Sequence, residues 1–183
     1  MKAVGIVASP RMDGNTAFVV RKVLEATGAE SRVFGLNGIA PCSACMACKK
    51  TTRCVQRDGM EAIRDALEAA DLLVLGSPIY LDHVSAQAWT FLNRLYPYIG
   101  PAPQLENRWR GARRGLVVAT HGRADTAFYL PQLGEITAIL RKYWAIEGPG
   151  PLAVGGCCRE PDLASRRDVL EAARAAGERL AGL

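Results

Sequence analysis

Val4-Gly5-Ile6-Val7-Ala8-Ser9-Pro10-Arg11-Met12-Asp13-Gly14-Asn15-Thr16 decides the fold class of this chain. Val4 to Ala8 is a short apolar run. The Pro/Gly-containing loop after it leads into an amphipathic stretch from about Thr16 to Ala26, where Phe18, Val19, Val23 and Leu24 recur at helical spacing. That is a β-loop-α unit, and the alternation continues. Ser31 to Leu36 is a second strand, Gly59 to Ala69 a helix, Leu72 to Leu75 a third strand and Ser85 to Leu95 a helix. Leu116 to Ala119 is a fourth strand, Leu130 to Trp144 a helix and Leu152 to Val154 a last strand, with an Ala/Arg-rich helix closing the chain from Leu163. Five nearly continuous apolar strands separated by helices predict an α/β fold, a parallel sheet covered on both faces. Ligands of such sheets bind beyond the carboxyl ends of the strands, so function is expected in the loops after Ala8, Leu75, Ala119 and Val154.

The chain has 183 residues, 49% of them hydrophobic, which suits a single domain over residues 1–183 with a full core of its own. No apolar run reaches the ~18 residues of a membrane span. The net charge of +5 is modest, and its basic runs lack the aromatic interleaving that stacks nucleic-acid bases. Neither a membrane nor a nucleic acid is expected as partner. The chain opens on Met1-Lys2-Ala3-Val4 without the charged, apolar and cleavage segments of a secretory signal, so a cytoplasmic location with reduced thiols is expected.

Four of the six cysteines, Cys42, Cys45, Cys48 and Cys54, fall in one loop at residues 41–55. Their spacing can wrap a single soft metal centre; an iron–sulfur cluster leads, with zinc or unliganded thiols as alternatives. Loop 9–16 offers hydroxyls from Ser9 and Thr16, the Asn15 amide, backbone N–H groups and the positive end of a helix. These suit a phosphate monoester, though a Pro/Gly turn with an Asn or Thr cap explains part of the pattern equally well. It matches neither G-x-G-x-x-G nor G-x-x-x-x-G-K-[ST], which excludes the usual dinucleotide and nucleoside-triphosphate fingerprints. Gly76-Ser77-Pro78-Ile79-Tyr80 reads as a second loop, with Tyr80 a flat surface beside a planar ring or a core aromatic. His121 follows the fourth strand and reads as a cofactor contact or a plain loop histidine; His83 is equally ambiguous. Cys157 and Cys158 read as small packing residues.

Residues 2–96 resemble the flavodoxin-like NAD(P)H-dependent FMN reductases and, with the cysteine loop included, their iron–sulfur flavoproteins. The resemblance is carried by Ser-Pro-Arg-x-x-Gly-Asn-Thr at 9–16, Pro-Cys-x2-Cys-x2-Cys-x5-Cys at 41–54, Asp58-Gly59-Met60, and Gly-Ser-Pro-Ile-Tyr with Ser-Ala-Gln at 76–87. It implies a three-layer sandwich with strand order 2-1-3-4-5 and an FMN phosphate held by Ser9, Arg11, Asn15 and Thr16. Pro78, Ile79 and Tyr80 would contact the isoalloxazine, with Ser85 and Gln87 shaping the loop on that side. A [4Fe-4S] cluster would sit on Cys42, Cys45, Cys48 and Cys54, its potential raised by Lys49, Lys50, Arg53 and Arg57 if they point inward. Also implied are NAD(P)H as a co-substrate, a redox carrier such as ferredoxin or a small-molecule acceptor as partner, and a homodimer or homotetramer. The chain departs from the family pattern in Asp58-Gly59, which is expected to weaken the start of the following helix, in Trp89, and in Asn93-Arg94.

Overall fold

A computed structural model of the chain describes residues 1–157 and 162–182. Strands β1 (Lys2–Val7), β2 (Glu30–Gly35), β3 (Leu72–Tyr80), β5 (Arg114–Thr120) and β6 (Leu152–Val154) form a parallel sheet in the order β2-β1-β3-β5-β6. A two-residue strand, β4 (His83–Val84), pairs antiparallel with the end of β3. With β4 set aside, this is the 2-1-3-4-5 order that the resemblance implies.

Helices α1 (Asn15–Thr27) and α6 (Arg167–Gly182) cover one face of the sheet; α3 (Met60–Glu68), α4 (Ala86–Arg94) and α5 (Leu130–Trp144) cover the other. Successive strand residues point to opposite faces, so each strand feeds two cores. Ile6, Leu75 and Val117 meet Ile63, Phe91 and Leu133 on one side, while Val7, Val74 and Val118 meet Val20, Val23 and Ala173 on the other. Buried on both faces, the strands explain the apolar runs. Among the described residues no helix is long and apolar enough to cross a membrane.

Three elements depart from expectation. Strand β3 does not stop at Leu75: Gly76, Ser77 and Pro78 stay in register with Val118, Ala119 and Thr120, and Ile79 and Tyr80 turn back on Val84 and His83. The expected loop 76–80 is therefore strand. Leu163 lies in a 3-10 turn (Asp162–Ala164) and α6 begins at Arg167, because Leu163 is an isolated buried anchor ahead of the amphipathic repeat. Within the cysteine loop a single helical turn, α2 (Cys48–Thr51), forms that no periodicity announces.

Candidate functional site

The carboxyl edge of the sheet gathers the expected loops through hydrogen bonds. Ser85 Oγ donates to the Ala8 carbonyl at 2.6 Å, joining the start of α4 to the end of β1. Thr16 and Thr120 hydroxyls meet at 2.7 Å, joining α1 to the end of β5. The His121 amide donates to the Val154 carbonyl, and the Cys157 amide to the His121 carbonyl. Asn37 Nδ2 donates to the Pro10 carbonyl at 3.0 Å, bringing the chain that leaves β2 for the cysteines against loop 9–14.

Loop 9–14 leaves the N-terminus of α1 open. No side chain caps the N-terminus of α1 and no acidic residue lies in its first turn, so its leading N–H groups and positive dipole face the loop. Ser9 is buried, its Oγ accepting from the Arg11 amide; Arg11 is exposed, and Thr16 is buried. The approach of α1 to the sheet depends on Gly76, where a Cβ would stand 2.3 Å from Val20 Cγ2 and 3.1 Å from Thr16 Cγ2. These features fit a phosphate.

On the neighbouring hairpin, Pro78 is buried, Ile79 is half-buried and Tyr80 is 49% exposed, which excludes the core-aromatic reading of Tyr80. The turn Leu81-Asp82 has positive φ at both residues, 48° and 64°. That geometry usually selects Asn or Gly, which is why neither turn nor β4 is readable in the sequence. Ser85 caps α4 through Ala88 N and is fully buried, so its hydroxyl shapes the loop from within; Gln87 is half-buried on the first turn of the helix. His121 is 4% exposed and packs edge-on against Tyr129 at 4.8 Å, and burial pushes its pKa down, so the imidazole is neutral at ordinary pH. Tyr129 in turn donates to Asp82 Oδ1 at 2.7 Å, fixing the hairpin tip. His83 is exposed on β4. Cys157 is half-buried against the α1–α6 core, consistent with packing, and Cys158 lies outside the described residues.

In the cysteine loop, Ala44, Met46 and Thr52 adopt left-handed backbone with φ of 55°, 60° and 61°. The curled chain makes Cys42, Cys45, Cys48 and Cys54 line one pocket, closed on its far side by Asn93, Arg94, Tyr96 and Pro97. Cys42 and Cys45 are exposed, Cys54 is half-buried and Cys48 is buried. Burial pushes the Cys48 thiol up against the pull of Lys49, with Cys42, Cys54 and Cys45 adding to the rise. Among the described residues no three ligand side chains are already drawn into a coordination sphere. The donor set is nonetheless the one a soft, anionic centre takes: four thiols, one buried cation and no carboxylate around a single pocket.

The basic residues of the loop do not point inward as a group. Lys50 and Arg53 are exposed, Arg57 is paired with Glu61, and Lys49 donates to the carbonyls of Tyr96 and Ile99 while lying over the Tyr96 ring. The inward cation is one that sequence reasoning missed. Arg94, on α4, is 1% exposed and forms a two-pronged pair with Asp58, at 2.7 and 3.0 Å. It also donates to the Ala40 carbonyl at 2.7 Å. Burial works against its charge, but the Asp58 hydrogen bonds and the adjacent Cys54 raise its pKa. Asp58 Oδ1 further accepts from Met60 N at 3.0 Å, so the start of α3 is held where Asp58-Gly59 was expected to weaken it.

The pattern of the NADPH-dependent FMN reductases matches residues 1–148. An iron–sulfur flavoprotein of Archaeoglobus fulgidus is 38% identical over 117 residues, 61% of this chain and 53% of the relative. An iron–sulfur flavoprotein of Methanocaldococcus jannaschii is 37% identical over 117 residues, 61% of this chain and 60% of the relative. The chain thus spans a little over half the length of these two relatives. Among solved structures, an NAD(P)H:quinone oxidoreductase from Methanothermobacter marburgensis superposes with a TM-score of 0.74 at 15% identity, covering 98% of both chains, which shows the shared fold.

Proposed function

We infer the activity of this chain from the family to which it belongs, the NADPH-dependent FMN reductases, and from its likeness to their iron–sulfur flavoprotein branch. It is an FMN-dependent oxidoreductase that carries a [4Fe-4S] cluster and passes electrons between a one-electron carrier and a two-electron donor or acceptor. The observation that carries this reading is the pair of an uncapped α1 N-terminus at loop 9–14 and a pocket lined by four cysteines, on a segment whose Asn37 hydrogen-bonds that loop at Pro10.

Ser9, Arg11, Asn15 and Thr16, with the first N–H groups of α1, would hold the phosphate, and the lack of a pyrophosphate fingerprint in this loop favours FMN over FAD. Pro78, Ile79 and Tyr80 would flank the ring system, and His121 would close it from the β5 side as a neutral hydrogen-bonding group. Cys42, Cys45, Cys48 and Cys54 would hold the cluster. When bound, FMN exchanges one or two electrons and the cluster one, so the pair couples the two kinds of carrier. NAD(P)H as co-substrate, a ferredoxin-like carrier or small molecule as partner, a single FMN-binding domain over residues 1–183, a cytoplasmic location, and assembly as a dimer or tetramer complete the proposal.

The test is an anaerobic titration of the purified chain, followed at the flavin band near ~450 nm and the cluster shoulder near ~400 nm. Bleaching of both by NAD(P)H or by a reduced one-electron carrier is expected. A colourless protein contradicts the proposal, as does one whose flavin is FAD.

A further inference from the structure

We propose that Arg94 is the positioning residue of the cysteine loop: it ties the two ends of the loop together and presents a buried cation and an N–H donor to Cys54. The loop leaves the body of the protein near Ala40 and rejoins it at Asp58. Arg94 binds both places at once, donating to the Ala40 carbonyl and, through both terminal nitrogens, to the Asp58 carboxylate. Asp58 Oδ2 also accepts from the Ala40 amide at 3.3 Å, so the two ends meet directly as well. The clasp is anchored in α4, whose Phe91 and Leu92 are buried in the core.

Arg94 and Cys54 line the same pocket, and Cys54 already raises the Arg94 pKa through its charge and a side-chain hydrogen bond. Arg94 Nε, buried with no other partner among the described residues, needs an acceptor on that side. On the cluster reading above, on which this half of the inference rests, a cysteine sulfur in an anionic centre supplies that acceptor. A cation and an N–H donor beside a cluster thiolate favour its reduced, more negative form and so raise its potential. Of the loop's own cations, Lys50, Arg53 and Arg57 lie at the surface, and half-buried Lys49, bonded to the Tyr96 and Ile99 carbonyls, acts on Cys48 and Cys42 and not on Cys54.

Arg94→Gln, Arg94→Lys and Asp58→Asn in the full chain separate the two halves, with retained FMN binding reporting that the fold is intact. In metal-free chains, amide hydrogen exchange across residues 40–58 is expected to quicken by about tenfold or more in Arg94→Gln and Asp58→Asn. Wild-type exchange in both variants would overturn the clasp. In anaerobically reconstituted chains, the cluster potential is expected to move to more negative values in Arg94→Gln and by less in Arg94→Lys, which keeps the charge but not the fork. An unchanged potential in a variant that holds its cluster would overturn the role at Cys54. A wild-type chain that takes up no iron overturns the cluster reading and this half with it, and the exchange data then decide the clasp alone. Should Arg94→Gln fail to bind FMN, Asp58→Asn, at the half-buried partner, carries both measurements.

Discussion

His121 and Asp58 carry the titrations that matter for stability. Burial lowers the His121 pKa in the folded chain, whereas the unfolded value is ~6.5. Folding therefore favours the neutral ring, and the stability this secures is present above pH ~6.5 and lost as the pH falls. The urea midpoint of the metal-free chain should drop between pH ~7 and ~5, and His121→Asn should flatten that limb; an unaltered slope would show that His121 titrates alike in both states. Asp58 adds a second acid limb. Hydrogen bonding from Arg94 depresses its pKa, so its contribution is present above ~3.9 and disappears as the pH falls through the folded value. At this scale the sequence was uneven as a guide. Ser9, Asn15, Thr16 and the four cysteines announce themselves by spacing. Arg94 does not, because a lone arginine in a helical repeat reads as solvated, and its partner Asp58 lies 36 positions earlier.

The first β-loop-α unit is the element on which the proposed cofactor binding turns. Asn15→Ala and Thr16→Val should each weaken FMN binding by roughly 1–3 kcal/mol, through loss of charge-assisted hydrogen bonds to the phosphate. Equilibrium flavin titration checks this, and unchanged affinity in both would move the phosphate elsewhere. Gly76→Ala tests the packing beneath the loop. Its Cβ would collide with Val20 and Thr16, so overpacking should cost about 1–3 kcal/mol in urea unfolding and loosen FMN by displacing the start of α1. A neutral substitution would mean that α1 yields freely. Strand and helix identities were readable because doubly buried strands give continuous apolar runs. The extension of β3 was not readable, since Gly-Ser-Pro has poor strand propensity and is held by pairing to β5 and by the hairpin. Helix α2 is a single turn and has no period to detect.

Across the whole molecule, the parallel pairing of β1 with β2 brings together the loop after β1, proposed to hold a phosphate, and the start of the chain after β2, which carries the cysteines proposed to hold a cluster. The convergence of loops followed from the alternation of elements, and the strand order from the resemblance to the flavodoxin-like reductases. The pocket that gathers the cysteines did not, because its far wall is built from Asn93 and Arg94 of α4 and from Tyr96 and Pro97 in the turn after it. If the loop acts as a unit, Ala at Cys42, Cys45, Cys48 or Cys54 should each abolish most of the iron and acid-labile sulfide while leaving FMN bound, and Cys157→Ala should leave both intact. Retention of iron in any of the first four variants would remove that cysteine from the ligand set. The most direct measurement is the content of FMN, iron and sulfide in the anaerobically purified wild-type chain. The account predicts about one FMN with about four iron and four sulfide per chain; stoichiometric zinc, or flavin with neither iron nor sulfide, would contradict it.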